Sequence, residues 1–382
     1  MSLGGQQFLL RETSARRANP VYGPSLSQVV WIALIGPVLL IFASISSVNI
    51  FIAQDIQVFG YSLPTRDEMI QVCFASLIIN SIGYCSIPFR THGHLTASMT
   101  IKDAFVPMLL IASASITGML ETSAFAIVST FNMFGLAALF ATVLFMIYKG
   151  GVLRDLLRQG TGKRGAGLLS FWMSSLLGTI YSQVDILVGG LFLQSSELGV
   201  YQIVKRMINL ISLPQVIANW ATVVKIGTAY ALSCASTIQE CCRLGLKLSI
   251  MPAIGLTLGL IFASPWLLEV YQIYPSIEIG ITTFLLFASA LTNLAFGVNF
   301  VVASQCHMEN TAIIARSVCV LFMTFVMVAV GYQLSPTLTA GILLMGTAGA
   351  NAILWFRIKK TLGVDTSLLC LFHVTKTPHA AA

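Results

Sequence analysis

Apolar residues in this chain come in long, nearly unbroken runs, neither the strict alternation of half-buried strands nor the one-sided stripe of a surface helix. A helix needs about 20 mostly apolar residues to cross a bilayer. Ten runs approach or exceed that length: 28–51, 69–88, 104–120 and 123–148, then 166–193, 207–224, 248–268, 279–303, 317–333 and 337–356. The run 104–120 is short and holds Pro107, and 207–224 is polar for a span. Only Glu121 and Thr122 separate the third run from the fourth, which predicts a tight helical hairpin. The pattern as a whole predicts an all-α polytopic membrane bundle of about ten transmembrane helices.

Composition agrees. The 382 residues are 56% hydrophobic and 9% charged, whereas soluble domains carry about 25% charged residues. Mean hydropathy is +0.86. In such a chain the net charge of +7 is not a signal for nucleic acid; it reports how Lys and Arg are placed about the membrane. Connections that should share one side hold Arg11, Arg16 and Arg17; Arg90 and Lys102; the five basic residues of 149–164; Lys225, Arg243 and Lys247; Arg316; and Arg357, Lys359, Lys360 and Lys376. All but Arg66, Lys205 and Arg206 of the 21 basic residues therefore lie on one face, which the positive-inside rule makes cytoplasmic. Both termini are expected there. The first twenty-four residues are polar and lack the apolar core of a signal peptide. The longest connection, 149–164, divides a four-helix part (1–148) from a six-helix part (165–360), with 361–382 as a cytoplasmic tail. Eight cysteines show no metal spacing, so neither a metal site nor disulfides are expected. No Walker loop or nucleophile elbow is present, and no cofactor is expected.

Candidate chemistry concentrates between Gly165 and Lys225. Asp185 is the only acid well inside an apolar run, and a charge at the bilayer centre costs about 2.5–3.5 kcal/mol unless it lines a cavity or finds a partner. Gly178, Tyr181, Ser182, Asp185 and Gly189 recur at three- and four-residue steps and share one helix face. On the next helix Lys205, Asn209, Ser212 and Asn219 fall in one sector, with Arg206 about 60° away. Two readings stand. In one, Lys205, Arg206, Asn209 and Tyr181 form a cationic, polar wall for an anionic substrate, and Asp185 is an ion-coupling or counter-charge residue. In the other, Asp185 pairs with Lys205 or Arg206 and locks the hairpin. Asn49, Asn80, Asn132, Asn293 and Asn299 are expected to bridge neighbouring helices. Pro37, Pro107, Pro214 and Pro252 should bend theirs. His92, His94 and His307 read as loop residues.

The run YSQVDILVGGLFLQSSELGVYQIVKRMINLISLP resembles a signature of the polysaccharide flippases in the multidrug/oligosaccharidyl-lipid/polysaccharide exporter superfamily. An Asp leads an apolar, Gly-containing helix end, and a short turn follows. Then comes Gly-apolar-Tyr with a basic residue five positions on: here Asp185, Gly189, Gly199, Tyr201 and Arg206. Lys205 fills a slot that is usually uncharged. Similarity in general character extends over nearly the whole chain, including the polar crossing IPFRTHGHLTASMTIKDAF. The resemblance implies a multi-pass protein of the bacterial inner membrane. Such a protein moves a polyprenyl-pyrophosphate-linked oligosaccharide to the outer leaflet for surface polysaccharide, O-antigen or lipopolysaccharide synthesis. Rocking of two lobes would give alternating access, an ion gradient or the membrane potential would drive it, and membrane lipids and glycan polymerases would be its partners. Family members carry twelve or fourteen helices with the signature opening the second lobe, so the pair expected to be missing is the family's first two. Three alternatives remain: a drug exporter of the same superfamily; a glycan polymerase or ligase on the same lipid carrier, although the longest outer connection, 52–68, offers only Asp55, Arg66, Asp67 and Glu68; and a nonfunctional remnant.

Overall fold

The computed structural model describes residues 8, 10–12, 66–91, 94–101, 105–118, 124–148, 168–274 and 276–372. The expected span 28–51 and the connection 149–164, with Pro37 and Asn49, lie outside them. All regular structure among the described residues is helical. In chain order the helices are α1 (Arg66–Thr91), α2 (Leu95–Met99), α3 (Phe105–Gly118), α4 (Ala124–Tyr148), α5 (Leu168–Gly189), α6 (Ser195–Asn209), α7 (Leu213–Ala231), α8 (Ala235–Val270), α9 (Ile277–Ala295), α10 (Asn299–Gln305), α11 (Glu309–Val330) and α12 (Pro336–Leu362). Seven helical runs among the described residues are long and apolar enough to cross a membrane. Their outward faces say what surrounds them. Phe262 is 83% exposed, Phe325 73%, Leu321 69% and Phe284 68%. So much exposed apolar surface on every side suits lipid and not water. The chain is a multi-pass, all-α membrane protein.

The helices form two compact units, Met1–Leu169 and Ser170–Ala382. In the first, α4 packs on α1 and α3. Gly135 admits the close approach of α1, since a Cβ there would stand 2.7 Å from Ile78 Cγ2. Asn132 Nδ2 donates to Gln71 Oε1 at 2.7 Å and so bridges these helices as expected. In the second unit α7 packs on α8, and α12 lies against both α9 and α11. Gly346 of α12 sits directly against Met323, where any Cβ would collide. Met323 and Met327 are wholly buried in the same core as Val184 and Tyr201.

Several expectations are corrected. The span expected at 207–224 is instead one run, Ser195–Ala231, in which α6 passes through a 3-10 turn (Leu210–Ser212) into α7. Lys205, Arg206 and Asn209 made its first half look like a loop, yet α6 buries Tyr201, Val204 and Ile208 along one face. Lys205 and Arg206 thus lie inside a continuous helical run. Pro214 falls in the first turn of α7, where its missing N–H costs nothing, and Pro107 is the third residue of α3. Pro252 does lie inside α8, and Pro265 lies in the same helix. The connection expected at 225–247 is nearly all helix, with the turn confined to residues 232–234. The run 279–303 breaks at Gly297, where φ is +60°, a conformation glycine adopts at little cost. Arg316 is not in a loop; it is the eighth residue of α11.

Within the stretch 361–382 expected to be a tail, residues 364–367 and Cys370 are buried. Asp365 is 7% exposed. Its Oδ1 accepts from Trp355 Nε1 at 2.9 Å, from Ser367 N at 2.9 Å and from Ser367 Oγ at 2.7 Å, and its Oδ2 accepts from Lys359 Nζ at 3.0 Å. Gln239 of α8 brackets its backbone, donating to Asp365 O at 2.8 Å and accepting from Asp365 N at 2.7 Å. Burial alone would raise the Asp365 pKa, but the bonds from Ser367, Trp355 and Lys359 outweigh it and bring the carboxyl from 3.8 to about 2. A lowered carboxyl pKa stabilises the fold above its unfolded value, and that contribution is lost as pH falls through the folded value. Pepsin cleavage of the segment after Leu362, normalised to a disordered control peptide, should therefore rise as pH falls from 3.8 to about 2. Asp365→Asn should be cleaved readily throughout, with little pH dependence. The same pH dependence in both proteins would contradict this account.

Candidate functional site

The hairpin of α5 and α6 gathers most of the residues singled out in the sequence. Asp185 is 0% exposed. An ionised carboxylate so deep in apolar surroundings requires donors, and α6 supplies two, one helical turn apart on the same face. Tyr201 donates its hydroxyl to Asp185 Oδ2 at 2.6 Å. Lys205 Nζ stands 2.7 Å from both Oδ1 and Oδ2 and also donates to Ser182 O at 2.9 Å. Both carboxylate oxygens are thus occupied, and the ammonium is shared between a carboxylate and a backbone carbonyl. Such short, charge-assisted contacts are the strong kind. Chemically, the cluster neutralises two charges inside the bundle and fixes α6 against α5.

The other predicted residues are placed differently. Arg206 is exposed and has no carboxylate within ion-pair distance among the described residues. Asn209 is likewise exposed; its carbonyl accepts from Ser212 Oγ at 2.6 Å. Tyr181 lies on the same α5 stripe as Asp185, with its hydroxyl buried and no hydrogen bond of ordinary geometry. The structure therefore joins Lys205 to Asp185 and leaves Arg206 and Asn209 presented outward.

A second polar assembly was only half visible in the sequence. Asn293 Nδ2 donates to Gln215 Oε1 at 2.9 Å, Asn351 Nδ2 to Asn293 Oδ1 at 3.2 Å, and Asn299 Nδ2 to Asn351 Oδ1 at 2.8 Å. Gln215 in turn donates to Gly297 O at 2.7 Å, which satisfies the carbonyl at the break between α9 and α10. The chain of amides ties α7, α9, α10 and α12 together. Asn293 and Asn299 are among the asparagines expected to bridge helices, whereas nothing in the sequence marks Gln215 and Asn351 as their partners, 78 and 52 residues away along the chain.

Within this second unit a cavity of about 210 Å³ lies beside Tyr201, lined also by Ser196, Glu197, Ser276, Glu278 and Thr282. It is smaller than the 300–1,000 Å³ usual for ligand pockets. One of its carboxylates is already engaged, since Glu197 Oε2 accepts from Gln194 N at 3.2 Å. No group of three or more His, Cys, Asp or Glu among the described residues could hold a metal ion.

No protein-family profile and no curated protein matches the chain. Solved structures do. The chain is similar to a MATE protein in its straight conformation, with a TM-score of 0.71 and 13% identity over 95% of this chain and 84% of that one. It is also similar to an outward-facing multidrug resistance MATE family transporter of the MOP superfamily (TM-score 0.67, 14% identity, 95% and 84% covered). A third match is a MOP superfamily transporter from Pyrococcus furiosus described as having a binding pocket of reverse polarity (TM-score 0.64, 13% identity, 95% and 83% covered). The chain has the fold of these transporters.

The Asp185 cluster generates a prediction about abundance. Removing one member of a buried ion pair leaves an uncompensated charge and costs about 3–5 kcal/mol. Asp185→Asn should deplete the protein from the membrane several-fold, and adding Lys205→Met should restore it. Arg206→Gln should rescue nothing. Quantitative immunoblotting of membrane fractions measures this; rescue by Arg206→Gln in place of Lys205→Met would contradict the pairing.

Proposed function

We propose that the chain is a membrane transporter, and that its substrate is an amphiphile carrying a polar head and an anionic group, the lipid-linked oligosaccharide of the polysaccharide flippases being the chemistry that fits best. The observation that carries the transporter reading is the fold, similar to MOP superfamily transporters over 95% of the chain. The narrower substrate rests on residues. Asp185, Gly189, Gly199, Tyr201 and Arg206 keep the spacing of the flippase signature, and Arg206 and Asn209 are presented outward on α6. Sugars and pyrophosphate pay a large desolvation cost in hydrocarbon, which a polar, cationic path lowers.

Roles follow from position. Arg206 and Asn209 contact substrate. Tyr181 lends a buried hydroxyl. Lys205 and Asp185 hold the hairpin that presents Arg206, and an ion-coupling role for Asp185 would require the carboxylate to leave Lys205 during the cycle. The natural setting is the inner membrane of a bacterium, both termini cytoplasmic, acting beside glycan polymerases and not itself as an enzyme. A second reading, export of drugs, is favoured by the description of one similar structure as a multidrug resistance transporter.

Reconstituted vesicles separate the two readings. A fluorescent polyprenyl-pyrophosphate oligosaccharide should cross the bilayer with the wild-type protein, while a lipophilic cationic dye should not be expelled. Arg206→Ala should lower translocation at least tenfold with normal protein level, and Arg206→Lys should keep part of it. Dye efflux without oligosaccharide translocation would replace the flippase reading with the exporter one, and neither activity would remove the transporter reading.

A further inference from the structure

Arg316 is a half-buried charge of this unit, and it differs from Asp185 in having no opposite charge within reach among the described residues. It is the eighth residue of α11, hence about 10 Å along the helix from its start, and among the described residues no carboxylate reaches it. One nitrogen is satisfied: Nη1 donates to Ser174 O at 2.6 Å and to Ser174 Oγ at 3.1 Å. The guanidinium carbon lies over the Phe300 ring, 4.2 Å from its centre. Gly178 makes room for it, because a Cβ there would stand 3.0 Å from Nη1. On the opposite edge Nε is buried without a partner, and Nη2 makes no hydrogen bond either. That Nε–Nη2 edge is the fork whose spacing matches two oxygens of one phosphoryl or carboxylate group. Tyr181, one turn on from Gly178, carries a buried hydroxyl that lies beside Thr347 and within reach of the Arg316 charge and makes no hydrogen bond of ordinary geometry.

We propose that Arg316 and Tyr181 form a binding site for an oxyanion, the guanidinium edge taking two oxygens and the tyrosine hydroxyl a third contact. The site balances a charge that is otherwise uncompensated within the bundle, a costly condition for an arginine there. Phosphoryl chemistry can come from a soluble or cargo phosphate or from an anionic lipid headgroup. The site is read from Arg316, Tyr181, Ser174, Gly178 and Phe300 alone and does not depend on the transport reading.

Ligand-induced thermal stabilisation tests it. The full chain is placed in phosphatidylcholine nanodiscs and titrated with inorganic pyrophosphate at constant ionic strength. In parallel it is placed in nanodiscs containing phosphatidylglycerol. At least one probe should raise the unfolding midpoint of the wild-type protein. A response to pyrophosphate assigns a soluble or cargo oxyanion, and a response to phosphatidylglycerol alone assigns a headgroup. The shift should vanish in Arg316→Gln. In Arg316→Lys, which keeps the charge but not the fork, and in Tyr181→Phe, which removes only the hydroxyl, about tenfold more anion should be needed. A purely structural arginine would leave the Tyr181→Phe response unchanged. If Arg316→Gln fails to fold, the other two variants decide. No shift in the wild-type protein with either probe, or wild-type responses in both Arg316→Lys and Tyr181→Phe, would overturn the proposal.

Discussion

The second unit is organised by the rule that a charge held away from water must be matched. Asp185 meets it through Tyr201 and Lys205 at 2.6–2.7 Å, and this single cluster explains why α6 takes the rotation it does about its own axis. With Tyr201 and Lys205 turned toward α5, Val204 and Ile208 turn into the core, and Arg206 turns out. Across the short Gly190–Gln194 turn the pair ties the last turns of α5 to α6 and acts as a clamp on the hairpin. Replacing such a pair by packed hydrophobic residues can be neutral or better for stability; what the pair does here is hold the one-sided α6 in a single rotation against α5.

The same rule orders the rest of the unit by degrees. Amides are cheaper to bury than charges, and Gln215, Asn293, Asn299 and Asn351 satisfy one another in a chain that spans four helices. The carbonyls of Gly297 and Asn293 at the break between α9 and α10 both accept from Gln215 Nε2, at 2.7 and 3.2 Å. A Cβ at Gly297 would also stand 2.8 Å from Thr366 O, which brings the Asp365 segment against that break and gives the glycine two reasons to be there. Arg316 is left with an open edge, its Nε buried without a partner.

Much of this fold was legible in the sequence because lipid imposes a single strong constraint: long apolar runs become helices, and the runs 69–88, 123–148, 248–268 and 337–356 did so. What escaped had local causes. The first half of Ser195–Ala231 is polar because α6 is one-sided, so a hydropathy threshold passed over it although its apolar face is buried. Lys225, Arg243 and Lys247 marked a loop by charge, whereas α7 and α8 carry them as helical residues on either side of a three-residue turn. Arg316 was assigned to a loop for the same reason. Pairing was legible only as a pair of alternatives, since spacing on α6 places both Lys205 and Arg206 near Asp185 and a rotation of 100° decides between them. The Asp365 lock gave no warning at all: its donors, Trp355, Lys359, Ser367 and Gln239, are scattered over more than a hundred residues of chain.

The claim on which the account turns is that Asp185 and Lys205 are partners in the folded protein. A double-mutant cycle on purified protein tests it most directly, with unfolding free energies measured for wild type, Asp185→Asn, Lys205→Met and the double variant. The account predicts that the two single losses are far from additive, with a coupling energy of about 1–3 kcal/mol, and that the same cycle run with Arg206→Met in place of Lys205→Met is additive within about 0.5 kcal/mol. Additivity in the Asp185–Lys205 cycle, or strong coupling in the Asp185–Arg206 cycle, would contradict it.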